Sequence, residues 1–124
     1  MNRKDLKLTA LQFNQSISEH DPDALKRLIT DDYAFIESDG AIHQPKQVIS
    51  ENWKQFFKLF PEYRNTLERI QSKDNLVVIP WYAYWSEKQP HDPAIWTAII
   101  INDLVREWHI YIDTPENRKK FNLV

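Results

Sequence analysis

Four polar residues alternate along the segment REWHIYID: Glu107, His109, Tyr111 and Asp113. Successive side chains of a β-strand point to opposite faces, so these four share one side and Trp108, Ile110 and Ile112 share the other. A carboxylate, an imidazole and a phenol spaced roughly 6–7 Å per step along one face suffice for proton transfer to one bound molecule. Asp113 would move the proton, with Tyr111 and His109 donating or orienting. A one-residue change of face inverts the assignment, turning Trp108, Ile110 and Ile112 inward and the polar row to the outside. The polar row is expected to face inward, because small-molecule pockets set a few convergent polar groups among aromatic side chains.

Glu37 is the second candidate acid or base. In DDYAFIESDG, Tyr33, Phe35 and Glu37 alternate with Ala34, Ile36 and Ser38 ahead of an Asp-Gly turn signal. If the two rings point into a cavity, the carboxylate sits at its mouth. Desolvation there favours the neutral acid and raises the pKa towards the range useful near neutral pH. The competing reading is a solvated rim carboxylate beside the turn.

Other chemistries have little support. There is no cysteine, hence no thiolate nucleophile, disulfide or Cys-type zinc cage. His20, His43 and His91 fall in predicted loops, and no two His stand at i, i+4, so neither a metal nor another cofactor is expected. No serine lies in a Gly-x-Ser-x-Gly elbow. Sixteen basic and 18 acidic residues are interspersed, for a net charge of -2, which leaves no strong field to gather nucleic acid or to hold an acidic membrane. The amino terminus lacks the apolar core of a signal peptide, and nowhere do about 18 apolar residues run together. A cytoplasmic protein is expected.

These groups need elements to position them. A chain of 124 residues, 42% hydrophobic with five Trp and six Phe, predicts one domain with a bulky aromatic interior. Leu6, Ala10, Phe13 and Ile17 make one apolar stripe on a first helix over residues 4–19. Asp21 as cap, Pro22 at the first helical position and Asp23 in the first turn start a second helix, which brings Leu25, Leu28 and Ile29 inward. A strand over 31–40 follows. A third, aromatic helix opens at Pro45, carries Ile49, Trp53, Phe56 or Phe57 and Phe60 along one side, and stops at Pro61. Trp53, Phe56, Phe57 and Phe60 could grip a flat ligand or simply pack as core. Period-two patterning then predicts strands at about 63–73, 75–87, 94–102 and 104–113, with a polar tail that frays or ends in a short apolar hook. Helices followed by antiparallel strands read as an α+β domain with the helices on one side of a curved sheet.

The strand over 75–87 is apolar on both faces: Val77, Ile79, Trp81, Ala83 and Trp85 stand opposite Leu76, Val78, Pro80, Tyr82 and Tyr84. One face can meet the helices and the other needs cover, which a homodimer through the outer face of the sheet would supply. The alternative is a monomer whose Tyr hydroxyls keep that face wet.

The order SEHDPDALKRLITDDYAFIESDG, QVISENWKQFFKLF and NDLVREWHIYID resembles the SnoaL-like (polyketide cyclase-like) branch of the nuclear transport factor 2-like superfamily, across about residues 6–113. The resemblance implies one SnoaL-like domain over 1–124: a cone of strongly curved sheet around three helices, with a pocket at the open end and an outer face often used for dimerisation. It also implies site residues. Glu37 stands at the offset of the proton-abstracting carboxylate of ketosteroid isomerases, with Glu in place of Asp. The Tyr donor of those enzymes corresponds to Phe13, and their second donor falls at Thr97; neither substitution supports a steroid-isomerase reaction. Asp113 stands where SnoaL-like cyclases hold a catalytic carboxylate, and His109 where relatives often have Trp, so packing is the alternative for His109. Phe13, Tyr33, Phe35, Trp53, Phe57 and Thr97 are then the expected ligand-binding set, with Glu37, Asp113, His109 and Tyr111 as the catalytic one. Two functions fit: an isomerase, cyclase, hydratase or hydrolase doing acid-base chemistry on a small, partly apolar molecule without a cofactor, or a non-catalytic ligand-binding or dimerisation module of the same fold.

Overall fold

The computed structural model describes residues 5–44 and 46–123. Helix α1 (Leu6–Ser18) begins where Asp5 Oδ1 accepts the Lys7 N–H at 2.8 Å, and its expected stripe turns inward, with Ala10, Phe13 and Ile17 all 0% exposed. Helix α2 (Pro22–Arg27) starts as its sequence predicts. Asp21 Oδ1 accepts the Ala24 N–H, Pro22 opens the first turn, Lys26 and Arg27 close the last, and Leu25 is buried. Helix α3 (Lys46–Leu59) stops two residues short of Pro61; Pro45, expected at its start, lies outside the described residues.

The strands are β1 (Ile29–Ile36), β2 (Ile42–His43), β3 (Arg64–Leu67), β4 (Gln71–Lys73), β5 (Leu76–Tyr84), β6 (Asp92–Ile101) and β7 (Leu104–Ile112). They form one curved, unclosed sheet in the order β2-β1-β7-β6-β5-β3, with β4 also on β5. Every pair is antiparallel except β1 with β7. The single strand expected over 63–73 is thus two short ones. The pairing breaks where the Glu68 N–H reaches the Pro80 carbonyl, at the one residue of β5 whose own nitrogen cannot donate. Helix α1 crosses the inner face of the sheet, and α3 packs on α2 and β1.

The interior is a run of large rings. Phe13 meets Trp108 at 4.4 Å between centroids, Trp108 meets Trp96 at 4.5 Å, and Trp96 meets Trp81 at 3.9 Å. Trp108 is 0% exposed, so the inward face of β7 is the apolar one. The expected parity is corrected: Glu107, His109 and Tyr111 point away from the helices. The cause is position, because β7 lies mid-sheet between β1 and β6 under α1, where an indole gains far more from burial than three polar groups could recover.

A further correction concerns the tail, which forms helix α4 (Pro115–Lys120) and does not fray. Thr114 Oγ1 accepts the Asn117 N–H, Pro115 opens the first turn, and Arg118, Lys119 and Lys120 close the last. Beyond it, Leu123 and Phe121 fold onto Val78, Ile95, Leu76 and Tyr111 on the outer face of the sheet. Part of the cover that motivates a homodimer on that face therefore comes from the chain itself. Gln71 Nε2 donates to the Phe121 carbonyl at 2.8 Å, and the Arg69 guanidinium donates to the Leu123 carbonyl. Arg118 donates through Nε and Nη2 to both oxygens of Asp113, at 2.6 and 2.9 Å.

The Arg118 hydrogen bonds and charge hold the Asp113 carboxyl below the usual carboxylate value. A group more acidic in the folded state contributes stability that is complete above its unfolded pKa, about 3.9, and is lost as pH falls through the lower folded value. The hook should therefore detach in acid below about pH 4, seen as Leu123 methyl resonances moving to solvent-like shifts. Arg118→Ala should show the same shifts at neutral pH and cost about 1 kcal/mol; Leu123 shifts unchanged in that variant would contradict the anchor.

Candidate functional site

Between α3 and the inner face of the sheet lies a cavity of about 630 Å³, within the size range of small-molecule sites. Tyr33, Phe35 and Glu37 enter it from β1 and the residue beyond, and His43 from β2. Asn52, Trp53, Gln55 and Phe56 come from α3, Trp81 and Trp85 from β5 and its end, Asp92, Ala94 and Trp96 from β6, and Ile110 from β7. Exposure rises along the strands. Tyr33 is 1% exposed, Phe35 half-buried and Glu37 exposed; on β6 the same gradient runs from Trp96 through Ala94 to Asp92. Period-two alternation puts each trio on one face, so the strands lead from a buried aromatic floor to a polar mouth.

Glu37 and His43 meet at that mouth, with His43 Nε2 2.9 Å from Glu37 Oε2 and the side chains 45% (His43) and 48% (Glu37) exposed. A tight hairpin holds them. Glu37 N–H donates to the Ala41 carbonyl, Gly40 N–H donates to the Glu37 carbonyl, and Asp39 Oδ1 accepts from the Ala41 N–H, each at 2.9 Å. Gly40 takes a φ of +89°, in the left-handed region where a side chain is strained. The His43 ring also lies 5.6 Å from that of Phe35. On the other side, Trp85 Nε1 donates to Asp92 Oδ2 at 3.0 Å, and the Trp85 ring packs edgewise on Tyr63, Phe56 and Phe60. Burial, with the Asp92 charge second, pushes the Tyr63 phenol up; burial alone pushes the Tyr33 phenol up. Both hydroxyls stay protonated and able to donate at any working pH.

Of the residues singled out from sequence, Glu37, Tyr33, Phe35 and Trp53 line the cavity. Phe13 and Phe57 are core behind it: Phe13 lies against Trp108, while Phe57 stacks on His20, whose Nε2 donates to the Tyr63 carbonyl at 2.6 Å. Thr97, His109 and Tyr111 stand on the opposite face, where Thr97 pairs with His109 across β6 and β7. The His109 ring stacks on Tyr111 at 4.1 Å, and Tyr111 packs on Phe121. Burial holds the His109 imidazole below its usual pKa, so it serves the tail contact as a flat neutral ring. Asp113 belongs to the Arg118 pair. His43, Asp92, Trp85 and Trp96 escaped notice as site residues. For His43 a signal existed: an Asp-Gly turn flanked by alternating residues is a hairpin, and a hairpin about Asp39 and Gly40 puts Glu37 and His43 on one face.

Among the described residues, no cluster of three or more His, Asp or Glu could hold a metal ion, and no helix is long and apolar enough to cross a membrane.

A curved sheet wrapped on helices, with an aromatic cavity opening at a polar mouth, defines a pocket protein of the cystatin-like, nuclear transport factor 2-like fold. The chain belongs to the SnoaL-like domain family, whose model matches residues 10–111. The fold is shared with a putative SnoaL-like polyketide cyclase from Shewanella putrefaciens at 16% identity and a TM-score of 0.75, over 99% of this chain and 89% of that one. An uncharacterised cystatin-fold protein from Novosphingobium aromaticivorans is similar at 14% identity and a TM-score of 0.76, over 87% of this chain and 98% of that one. A de novo designed protein with a curved β-sheet matches over 100% of both chains at 15% identity and a TM-score of 0.73. No curated protein matches the sequence.

Proposed function

We propose that the cavity binds a small, planar, largely apolar molecule and that Glu37 moves a proton on it, in an isomerisation, a cyclisation or an addition of water. The observation that carries this reading is the hydrogen-bonded Glu37–His43 pair at the mouth of an aromatic cavity of about 630 Å³. The Glu37 carboxylate takes a proton from the substrate and returns it at a second position, while His43 holds the carboxylate in one rotamer. A ligand filling the mouth strips water from the pair and makes the carboxylate a stronger base. A homodimer accompanies this reading, formed on the part of the outer face around Tyr82 and Tyr84. Non-catalytic binding is the second reading, and the half-exposure of both side chains favours it, since an acid open to water has an ordinary reactivity.

The binding claim is tested by thermal shift against small cyclic ketones, epoxides and aromatic amines. A true ligand at about 100 times its Kd stabilises the fold by about 2.7 kcal/mol. Ala94→Trp, which places an indole in the cavity, should fold and lose that stabilisation. Stabilisation equal to wild type in Ala94→Trp would put the ligand elsewhere.

A further inference from the structure

The polar groups of the cavity are unequally divided between its two ends. At the floor, Tyr33, Trp96 and Trp81 are 1%, 2% and 4% exposed, and the Tyr33 hydroxyl and both indole N–H groups have no hydrogen-bond partner. An indole N–H can only donate, and a buried donor without an acceptor is a standing cost that a ligand's acceptor atom removes. At the mouth stand two carboxylates, Glu37 and Asp92, and the described lining residues include neither Lys nor Arg. His43 is already hydrogen-bonded to Glu37. Asp92 lies beside the Trp85 ring, which itself packs at 4.7 Å on Tyr63. A carboxylate bordered by aromatic faces favours a cation, because charge attraction and the ring quadrupole act together. An anion placed there would lose its water beside like charges, with no cationic side chain to replace it.

We propose that the ligand is a planar amine bound in one orientation, with a hydrogen-bond acceptor such as a ketone oxygen at the floor towards Tyr33 and Trp96, and its protonated amino group at the mouth against Asp92 and Trp85. This rests on the cavity being a ligand site, and it holds whether or not Glu37 catalyses turnover.

Calorimetric titration of the full chain with four para-substituted benzenes tests it. Para-acetylbenzylamine should bind tightest. Para-acetylbenzyl alcohol, which lacks the charge, and para-ethylbenzylamine, which lacks the acceptor, should each bind about tenfold more weakly, and para-acetylbenzoate most weakly of all. Asp92→Asn keeps an acceptor for the Trp85 indole and should bring the amine down to the level of the alcohol. Tyr33→Phe should erase the preference for acetyl over ethyl. If the benzoate binds as tightly as the amine, or the amine preference survives in Asp92→Asn, the proposal is overturned while the ligand site stands. Binding by none of the four would overturn both.

Discussion

Trp108→Ala is expected to cost about 3–5 kcal/mol, the range for removing a fully buried large aromatic ring, and to lower Tm by about 10–20 °C for a domain of this size. The indole is 0% exposed and touches Phe13 on α1 and Trp96 on β6. It thus joins the first helix to the middle of the sheet. Its neighbours are themselves large rings held on three different elements, so the gap cannot close by a local shift and a cavity term adds to the lost burial. The neighbouring His109→Ala should cost about 1 kcal/mol or less, because that ring is half-buried on the outer face against Tyr111. Equal losses in the two variants, read from chemical denaturation, would contradict the face assignment of β7.

Glu37→Gln is expected to lower kcat by about 10²–10⁴, the usual contribution of a positioned proton-transfer group, while ligand affinity changes little. The amide keeps the size of the side chain and its hydrogen bond to His43 but cannot accept a substrate proton. Stability should stay within about 0.5 kcal/mol of wild type, since the side chain is half exposed and stands at the end of a hairpin. His43→Ala should lower kcat less, because it removes only the group that orients the carboxylate. A selective loss of kcat marks an interaction made in the transition state. Unchanged turnover in Glu37→Gln would move the chemistry to another residue; parallel losses of affinity and rate would point to binding alone.

The helices were legible in the sequence because each local signal agreed with the packing: the Leu6, Ala10, Phe13 and Ile17 stripe meets the sheet, and Asp21 with Pro22 starts α2. Thr114 and Pro115 carry the same start signal, yet α4 has only six residues, and its docking depends on Val78 and Ile95, which are remote in sequence. The face of β7 went the other way for a physical reason. In a half-buried sheet the apolar row faces the core, which turns Trp108 inward. The opposite expectation took the polar groups of the pocket to come from β7 itself. They come instead from a two-residue strand after the Asp39–Gly40 turn and from Asp92 at the start of β6. Both depend on cross-strand neighbours, which no periodicity within one strand records. Glu37, Tyr33, Phe35 and Trp53 were legible because three of them share one strand face and the fourth lies on the apolar side of α3.

The central claim is that the working space lies under α3, with Glu37 at its mouth and not on the outer face beside His109. A crystal structure of the chain with a ligand found by thermal shift tests it most directly. The account predicts the ligand ring packed among Trp53, Trp81 and Trp96, with its reacting carbon about 3–3.5 Å from a Glu37 oxygen. A ligand seated against His109 and Tyr111, with the inner cavity unchanged, would contradict it.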